Sequence, residues 1–187
     1  MNCYGSYQNL SFPKQHLMMS PRLRFHQDQI AALANRYQYQ LDDANLMELQ
    51  ASILERGYLT KGEIKKIAYW KAPRSAAHAD KNQPSYATEI TRFALAAEDE
   101  RARIQSLTLL DGVSWPTASV ILHLFHRDPY PILDFRALWS LSLDVPVQYG
   151  FDFWLPYVRY CRDLAQRANV DMRTLDRALW QYSKENQ

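Results

Sequence analysis

Residues 109–136, LLDGVSWPTASVILHLFHRDPYPILDFR, place a small turn and a single carboxylate on either side of one helix. In the turn, Gly112 can take the positive φ that a side chain would forbid, and Val113 can bury in the corner. Ser114 can then cap a helix that begins at Trp115. The backbone N–H groups of such a turn and helix start point outward together and carry partial positive charge. A phosphate oxygen of nucleic acid is the anion that fits them.

Asp134 ends the same stretch and is the candidate acid. A carboxylate can stabilise positive charge that develops during a reaction, and it can orient or deprotonate a water. The alternative is an ordinary helix N-cap, because an aspartate before Phe135 would serve that purpose as well. The two roles can coexist. Arg136 could contact the backbone of a bound strand or neutralise Asp134.

The spacing within this stretch resembles the helix-hairpin-helix superfamily of base-excision DNA glycosylases, over roughly residues 99–145. The hairpin of that superfamily is matched at five positions, which are Leu110, Gly112, Val113, Thr117 and Ala118. Its catalytic aspartate stands eighteen residues past a variable lysine position, which here is Pro116, and the interval ends on Asp134. The resemblance implies that the hairpin at 111–115 grips a phosphate and that Asp134 faces the sugar of a flipped nucleotide. The DNA contacts it implies are Gly112, Val113, Ser114, Trp115, Thr117 and Arg136.

The sequence departs from the pattern of the superfamily in three places, and these departures limit the activity and the cofactors that the resemblance implies. Ser114 replaces the second glycine of the hairpin, which could alter the phosphate grip. Pro116 occupies the place of the Schiff-base lysine of bifunctional members, and no lysine occurs between Lys81 and Lys184. We therefore expect a monofunctional enzyme that releases a base and leaves the abasic strand uncut. Two cysteines cannot build the four-cysteine iron–sulfur loop of many members, so no cofactor and no metal are expected.

The composition sets the broad class. A length of 187 residues with 47% hydrophobic content predicts a single domain, 1–187. A net charge of +2 neither requires nor excludes a nucleic-acid partner. All ten Lys and Arg residues from Arg92 to Arg177 are arginine. The planar guanidinium group of arginine can donate two hydrogen bonds at once to a phosphate. No apolar run approaches the ~20 residues that span a bilayer and no signal peptide is evident, so we expect a cytoplasmic protein without membrane contact.

Hydrophobic periodicity predicts an all-α fold, specifically a two-lobed helical bundle of the helix-hairpin-helix glycosylase type. Residues 1–22 are expected to form an arm that is ordered only where it packs on the body. The polar segment 73–84, bounded by two prolines, is predicted to be a loop and the hinge between the lobes. The hairpin motif occupies 99–126. Further helices are predicted over 25–39, 43–56 with Gly57 as the stop, from Thr60 to before Pro73, and over 85–97, 134–142, 151–169 and 171–184.

A base pocket is expected between residues 60–75 and residues 112–139. An extruded base needs flat apolar walls to replace its lost stacking. In the enzymes that the chain resembles, the part before the hairpin helps to shape the base pocket. By that resemblance, the indole of Trp70 and the cations Lys71 and Arg74, at the end of the helix that starts after Thr60, could form the wall opposite Asp134. Lys71 is the lysine best placed to reach such a site from outside the hairpin. For each aromatic residue the alternative is an ordinary place in the core. The expected pocket residues are Tyr69, Trp70, Lys71, Arg74, Phe135 and Trp139.

These features together predict a monomeric DNA-binding protein that hydrolyses the N-glycosidic bond of a damaged or modified base in duplex DNA. The base itself is not identified, because the pocket walls come from residues that are distant in sequence. Two alternatives stay open. One is a catalytically inactive helix-hairpin-helix module that binds nucleic acid, and the other is an enzyme that acts on a small molecule or nucleoside in the same cleft.

Overall fold

A computed structural model describes residues 20–38 and 40–187, and in this part of the chain the fold is all-α, without strands. Ten α-helices are present among these residues, together with two 3-10 helices, Gln27–Gln29 and Ala76–Lys81. The α-helices are α1 Ile30–Asn35, α2 Gln40–Met47, α3 Gln50–Arg56, α4 Lys61–Lys71, α5 Pro84–Ala96, α6 Glu100–Leu107, α7 Trp115–Phe125, α8 Phe135–Ser140, α9 Phe151–Arg167 and α10 Met172–Asn186.

Caps explain where several helices begin and end. Thr60 Oγ1 accepts a hydrogen bond from Glu63 N, and Glu63 Oε2 accepts one from Thr60 N, which is the capping box that the sequence predicts before α4. The carboxylates of Asp99 and Asp171 cap α6 and α10. Gly57 ends α3 with a φ of 73°, a left-handed conformation that favours glycine, so the predicted stop is confirmed.

The segment predicted as one helix over 43–56 is two helices, α2 and α3, and this prediction was wrong. The backbone tightens at the junction, where Leu49 N donates to Leu46 O, three residues back. Gln50 Nε2 then donates to Leu124 O, at the end of α7, at 2.7 Å. This tertiary hydrogen bond fixes the start of α3 and leaves no trace in the hydrophobic periodicity.

Two groups of helices share one core. In the first group α7 is central, because eight of its eleven residues are buried and it packs against α3, α4 and α6. In the second group α10 packs against α1, α8 and α9. Contacts between α6 and α9 join the two groups, and a single hydrophobic cluster runs through both.

The predicted hinge, 73–84, contains the 3-10 helix Ala76–Lys81 and is held against the hairpin. Asn82 is buried, its Nδ2 donates to Asp111 O at 2.9 Å, and its Oδ1 accepts from Asp111 N at 2.9 Å. One side chain therefore satisfies both backbone groups of Asp111. The loop prediction was wrong for the middle of this segment, because a polar sequence between two prolines forms a packed connector here.

Most of the predicted arm, residues 1–22, lies outside the described residues. The chain that follows runs alongside the end of α8, where Arg22 N donates to Leu141 O and Arg24 N donates to Ser140 O. None of the helices in the described part combines the length and the apolar character that crossing a membrane requires.

Candidate functional site

The extended segment that leads into Asp134 is anchored by side chains of α7 and α9. The three hydrogen bonds join Ser119 Oγ to Leu133 N (2.8 Å), Tyr157 Oη to Ile132 O (2.7 Å) and His123 Nδ1 to Tyr130 O (2.5 Å). In the last of these the imidazole donates, since a carbonyl oxygen can only accept. Buried polar backbone groups are thereby satisfied, and the position of Asp134 is fixed by the core rather than by a mobile loop.

Both carboxylate oxygens of Asp134 have a partner within the protein. Oδ1 accepts from Arg136 N at 2.9 Å, which is the N-cap of α8 that the sequence offered as the alternative role. Oδ2 accepts from Lys71 Nζ at 2.5 Å. The side chains of Asp134 and Lys71 are only 17% and 11% exposed. Asp134 is thus a helix cap and, at the same time, one half of a largely buried ion pair.

Helix α4 brings Lys71 to Asp134 across 63 residues of sequence. Ile64, Ile67 and Ala68 on this helix are fully buried, and together they fix its rotation. Lys71 stands seven residues after Ile64 and therefore continues the same inward face. As the last residue of α4, its ammonium also complements the helix dipole. The packing that buries the apolar face of α4 therefore places Lys71 next to Asp134.

The ion pair lies in a cleft of about 1060 Å³. Pockets that bind small molecules are typically ~300–1,000 Å³, so this cleft is slightly larger than most of them. Its lining combines three lysines, three carboxylates and four aromatic rings. These residues are Lys65, Lys66, Lys71, Glu48, Asp134, Asp176, Tyr37, Tyr69, Trp70 and Trp180.

Two tyrosines near the cleft are held in their neutral form. Burial, and after it the negative charge of Asp134, raise the pKa of Tyr149. Burial and the charge of Asp43 raise the pKa of Tyr37. The two hydroxyl groups therefore stay protonated, and able to donate a hydrogen bond, to a higher pH than the hydroxyl of a solvent-exposed tyrosine.

The turn of the hairpin is tightly packed at Gly112. Its φ is 79°, and a Cβ added there would lie 2.8 Å from Ala79 N, closer than real Cβ contacts. Val113 is buried in the corner, as the sequence predicts. Ser114 has a φ of −86°, so the left-handed conformation that a second glycine would ease is not needed at this position.

Two amide groups of the hairpin are already bonded within the protein. Asp111 N donates to Asn82 Oδ1, and Val113 N donates to Leu110 O. Contact with a phosphate would therefore fall to the remaining amides of the 111–115 turn, those of Gly112, Ser114 and Trp115.

The side chains expected to contact DNA are unequally accessible. Thr117 is fully buried, and its hydroxyl has no hydrogen-bond partner within the described part of the chain. The Thr117 and Val113 side chains belong to the core, and the DNA contact expected of these two residues stays a prediction. Trp115 is partly buried, with its ring 6.3 Å from that of Trp154. Ser114 occupies the N-cap position of α7 and is exposed, but its side chain makes no capping hydrogen bond, contrary to expectation.

The remaining expected site residues divide into two sets. Tyr69, Trp70 and Lys71 line the cleft beside Asp134, whereas Arg74, Phe135 and Trp139 are not part of its lining. The Trp139 indole instead faces the Arg24 guanidinium, 4.5 Å from the ring centre, and packs near Tyr182. Contact of these three residues with a bound base stays a prediction.

Arg136 does not neutralise Asp134. Its guanidinium lies over the rings of Phe135 and Trp180, 5.0 and 5.2 Å from their centres. The cation paired with the acid is Lys71. Although Arg136 stands only two positions after Asp134, its place in the first turn of α8 directs its side chain toward aromatic neighbours.

Sequence reasoning missed Asn82 and Tyr149, and it did not foresee that Lys71 pairs with Asp134. A signal for Lys71 was present, because a lysine that continues the apolar face of a helix needs a buried partner. No comparable signal marks Asn82 or Tyr149, whose roles depend on contacts across the fold.

Within the described residues, no group of three or more histidine, cysteine, aspartate or glutamate side chains is arranged to hold a metal ion. Comparisons with protein-family models, with curated proteins and with solved structures found no match for this chain.

Proposed function

We propose that the protein is a DNA N-glycosylase, which hydrolyses the bond between deoxyribose and a damaged or modified base in duplex DNA. The observation that carries the proposal is the position of Asp134. This carboxylate is fixed by the core, paired with Lys71 inside a large cleft, and stands eighteen residues after the hairpin position Pro116.

The chemistry assigned to Asp134 is electrostatic. Breaking the N-glycosidic bond leaves positive charge on the deoxyribose, and a fixed carboxylate beside the sugar stabilises that charge in the transition state. A water on the same face could be oriented or deprotonated by Oδ2. Because Arg136 N holds Oδ1, the carboxylate is already oriented and spends little free energy on reorganisation during the reaction.

The walls of the cleft suit a flipped base. An extruded base loses its stacking in the duplex and needs aromatic faces in return. Tyr69 is 67% exposed, with Trp70 beside it on the lining. Tyr37 is only 8% exposed and packs edge to face against Trp180, with ring centres 5.4 Å apart, so it offers no open face. Tyr69 and Trp70 supply the surfaces on which a base could stack.

Binding to the DNA backbone is assigned to the hairpin amides and to two cations on the cleft wall. Lys66 is exposed on the cleft wall, and Lys65 lies on the same wall, paired with Asp80 on the surface. Contacts of this kind read phosphate rather than base, so duplex affinity should fall steeply as salt rises and should depend little on sequence.

A binding module without catalysis is the second candidate, and a specific observation favours it. Both oxygens of Asp134 are occupied, by Arg136 N and by Lys71 Nζ, so helix capping and ion pairing already account for the residue. In that case duplex DNA would bind with the same salt dependence, and no base would be released.

The test is a base-release screen of the parent chain and Asp134→Asn. Duplexes of one sequence would carry a deaminated, an oxidised or an alkylated base, and released base would be measured by chromatography. We expect the parent to release one class of base and Asp134→Asn to release none while still binding the duplex. Salt-dependent binding without release of any base would favour the inactive module, and absence of DNA binding would overturn both.

A further inference from the structure

We propose that Lys71 is a second catalytic residue, which stabilises the negative charge on the departing base. The substrate that this role selects is a base that is neutral in DNA and leaves as an anion. Deaminated and oxidised bases with carbonyl groups on the ring belong to this class, whereas N-alkylated bases that carry a positive charge do not. The inference rests on the proposed function, because it requires a nucleotide whose sugar faces Asp134. It deepens that function by naming the class of base.

Lys71 is the cation in contact with the candidate acid. Its Nζ lies 2.5 Å from Asp134 Oδ2, and contact with a carboxylate favours the ammonium form of the amine. An ammonium group has three N–H donors. Within the described residues, the hydrogen bond to Asp134 is the one that Lys71 Nζ makes, so two donors remain for a ligand in the cleft.

The end of α4 places this ammonium on the side of the cleft where a base can stack. Tyr69 and Trp70 directly precede Lys71, and all three residues line the cleft. A base that stacks on these rings, with its sugar at Asp134, therefore lies next to the Lys71 ammonium. The carboxylate then faces the sugar and the ammonium faces the base, on the two sides of the bond that breaks.

Breaking the C1′–N bond separates charge between the sugar and the base. The electron pair of the bond leaves with the base, so positive charge develops on the sugar and a neutral base becomes an anion. Asp134 stabilises the first charge, and the free N–H donors of Lys71 stabilise the second. A water molecule adds to C1′ and loses a proton, and the base anion takes up a proton from the solvent. The sum is hydrolysis, and Lys71 stays an ammonium throughout.

A base that already carries positive charge gains nothing from an ammonium, because it leaves as a neutral molecule. Recognition of such a base would need negative charge in the cleft that no protein cation compensates. Asp134 is paired with Lys71, and Asp176 is bound to Arg173 at 3.0 Å. The third carboxylate of the lining, Glu48, is exposed, so solvent screens its charge. The charges of the cleft therefore favour a neutral base.

The experiment measures single-turnover base release, by chromatography, from duplexes of one sequence. The neutral bases are uracil, hypoxanthine and 8-oxoguanine, the cationic base is 7-methylguanine, and each rate is divided by the rate of spontaneous release. We expect the parent to accelerate release of at least one neutral base more than release of 7-methylguanine. Lys71→Met should release that neutral base ~100–1,000-fold more slowly, which is the usual cost of losing one donor to a developing anion.

Two further variants test the role of the charge. Lys61→Met removes a cation from the same helix but outside the lining of the cleft, and it should keep the parental rate. Lys71→Arg keeps a cation with N–H donors beside Asp134, and it should retain more of the rate than Lys71→Met. Equal rates for Lys71→Met and the parent would overturn the role of Lys71.

A second comparison separates charge stabilisation from a merely structural role of Lys71. An analogue of the released base with an electron-withdrawing substituent is a better leaving group and needs less stabilisation. Its release should therefore slow less in Lys71→Met than release of the base itself. Equal slowing of the two would mean that the substitution only disturbs Asp134 or the fold, and it would overturn the inference.

The class of the released base is measured on the parent chain, so the inference stays testable if Lys71→Met does not fold. A larger acceleration for 7-methylguanine than for every neutral base would overturn the inference and leave the proposed function intact. Absence of release from every duplex would instead overturn the proposed function, and the inference with it.

Discussion

Two carboxylates with cationic partners, Asp43 and Asp134, lie at different depths in this molecule. Asp43 is 3% exposed and is enclosed by Arg173 and Arg177, both of which donate to its Oδ2. Asp134 is 17% exposed, has a single cation, Lys71, and borders the cleft. The first arrangement surrounds an acid with charge and seals it, whereas the second leaves one side of the acid open to a ligand.

The difference distinguishes an acid that stabilises the fold from an acid that is placed where it can meet a ligand. Arg173 also binds Asp176 at 3.0 Å, so the two acids Asp43 and Asp176 balance the two arginines Arg173 and Arg177. Such a cluster is costly to disturb, since removing one member leaves buried charge behind. The Asp134–Lys71 pair can be disturbed at lower cost because water can enter from the cleft. The proposed reaction exchanges a water, a base and a proton, and such exchange needs a site where its free-energy cost is low.

The largest expected effect is on Asp43. Asp43→Asn removes the charge that compensates Arg173 and Arg177, and the free energy of unfolding should fall by about 3–5 kcal/mol. Urea denaturation followed by circular dichroism measures the change. Asp80→Asn, at an exposed acid paired with Lys65, is the control and should leave the stability unchanged. A small effect at Asp43 would contradict the contrast between the two acids.

The next largest effect concerns the hairpin that precedes Asp134. Gly112→Ala places an alanine in a left-handed conformation and also brings its Cβ against Ala79. Gly57→Ala requires the same conformation but creates no clash, because nothing lies within 4 Å of the added Cβ. The conformational cost alone is about 1–2 kcal/mol. Gly112→Ala should therefore lose clearly more stability than Gly57→Ala in the same denaturation experiment. Equal losses would mean that Ala79 does not hold the turn.

Local signals of this kind are the part of the fold that the sequence predicts well. The Thr60 capping box, the Gly57 stop and the positive φ of Gly112 all follow from chemistry within a few residues. The same holds for the cap formed by Asp134, which the interval from the hairpin also marks as a candidate acid.

Features that depend on distant residues could not be predicted in the same way. Asn82 turns a polar loop into a clamp on Asp111, and Gln50 starts a new helix by bonding to α7. The pairing of Lys71 with Asp134 spans 63 residues. Sequence periodicity indicates which face of α4 is buried, but only the packing of α4 against the core determines which acid meets the lysine on that face.

A smaller effect is expected for the stability of Asp134 variants. Asp134→Asn keeps a cap on α8 but leaves the Lys71 ammonium without its counter-ion, and it should cost less than Asp43→Asn because water reaches this pair from the cleft. Asp134→Ala loses the cap as well and should cost ~1 kcal/mol more. Thermal and urea unfolding of the two variants give the comparison. A collapse of stability in Asp134→Asn similar to that expected for Asp43→Asn would mean that both acids are structural.

The smallest effect is a pH dependence from His123. Burial lowers its pKa below 6.5, so the unfolded chain binds a proton more readily than the folded chain. The stabilising contribution is complete above pH 6.5 and is lost as the pH falls through the folded-state value. The free energy of unfolding should be measured between pH 7.5 and 5.5 for the parent and for His123→Asn, and it should fall less steeply in the variant. His126, whose pKa is also lowered by burial, accounts for the pH dependence that remains in the variant. Parallel slopes in the two proteins would contradict the neutral imidazole inferred at Tyr130 O.

The central claim is that Asp134 acts on a bound nucleotide in addition to capping a helix. Asp171 is a matched residue, since its carboxylate caps α10 from the same N-cap position without bordering the cleft. Single-turnover base release should be measured for the parent, Asp134→Asn and Asp171→Asn on the duplex that the parent processes. We predict that Asp134→Asn abolishes release and that Asp171→Asn retains the parental rate. Equal rates for the two variants would contradict the claim and leave Asp134 a helix cap.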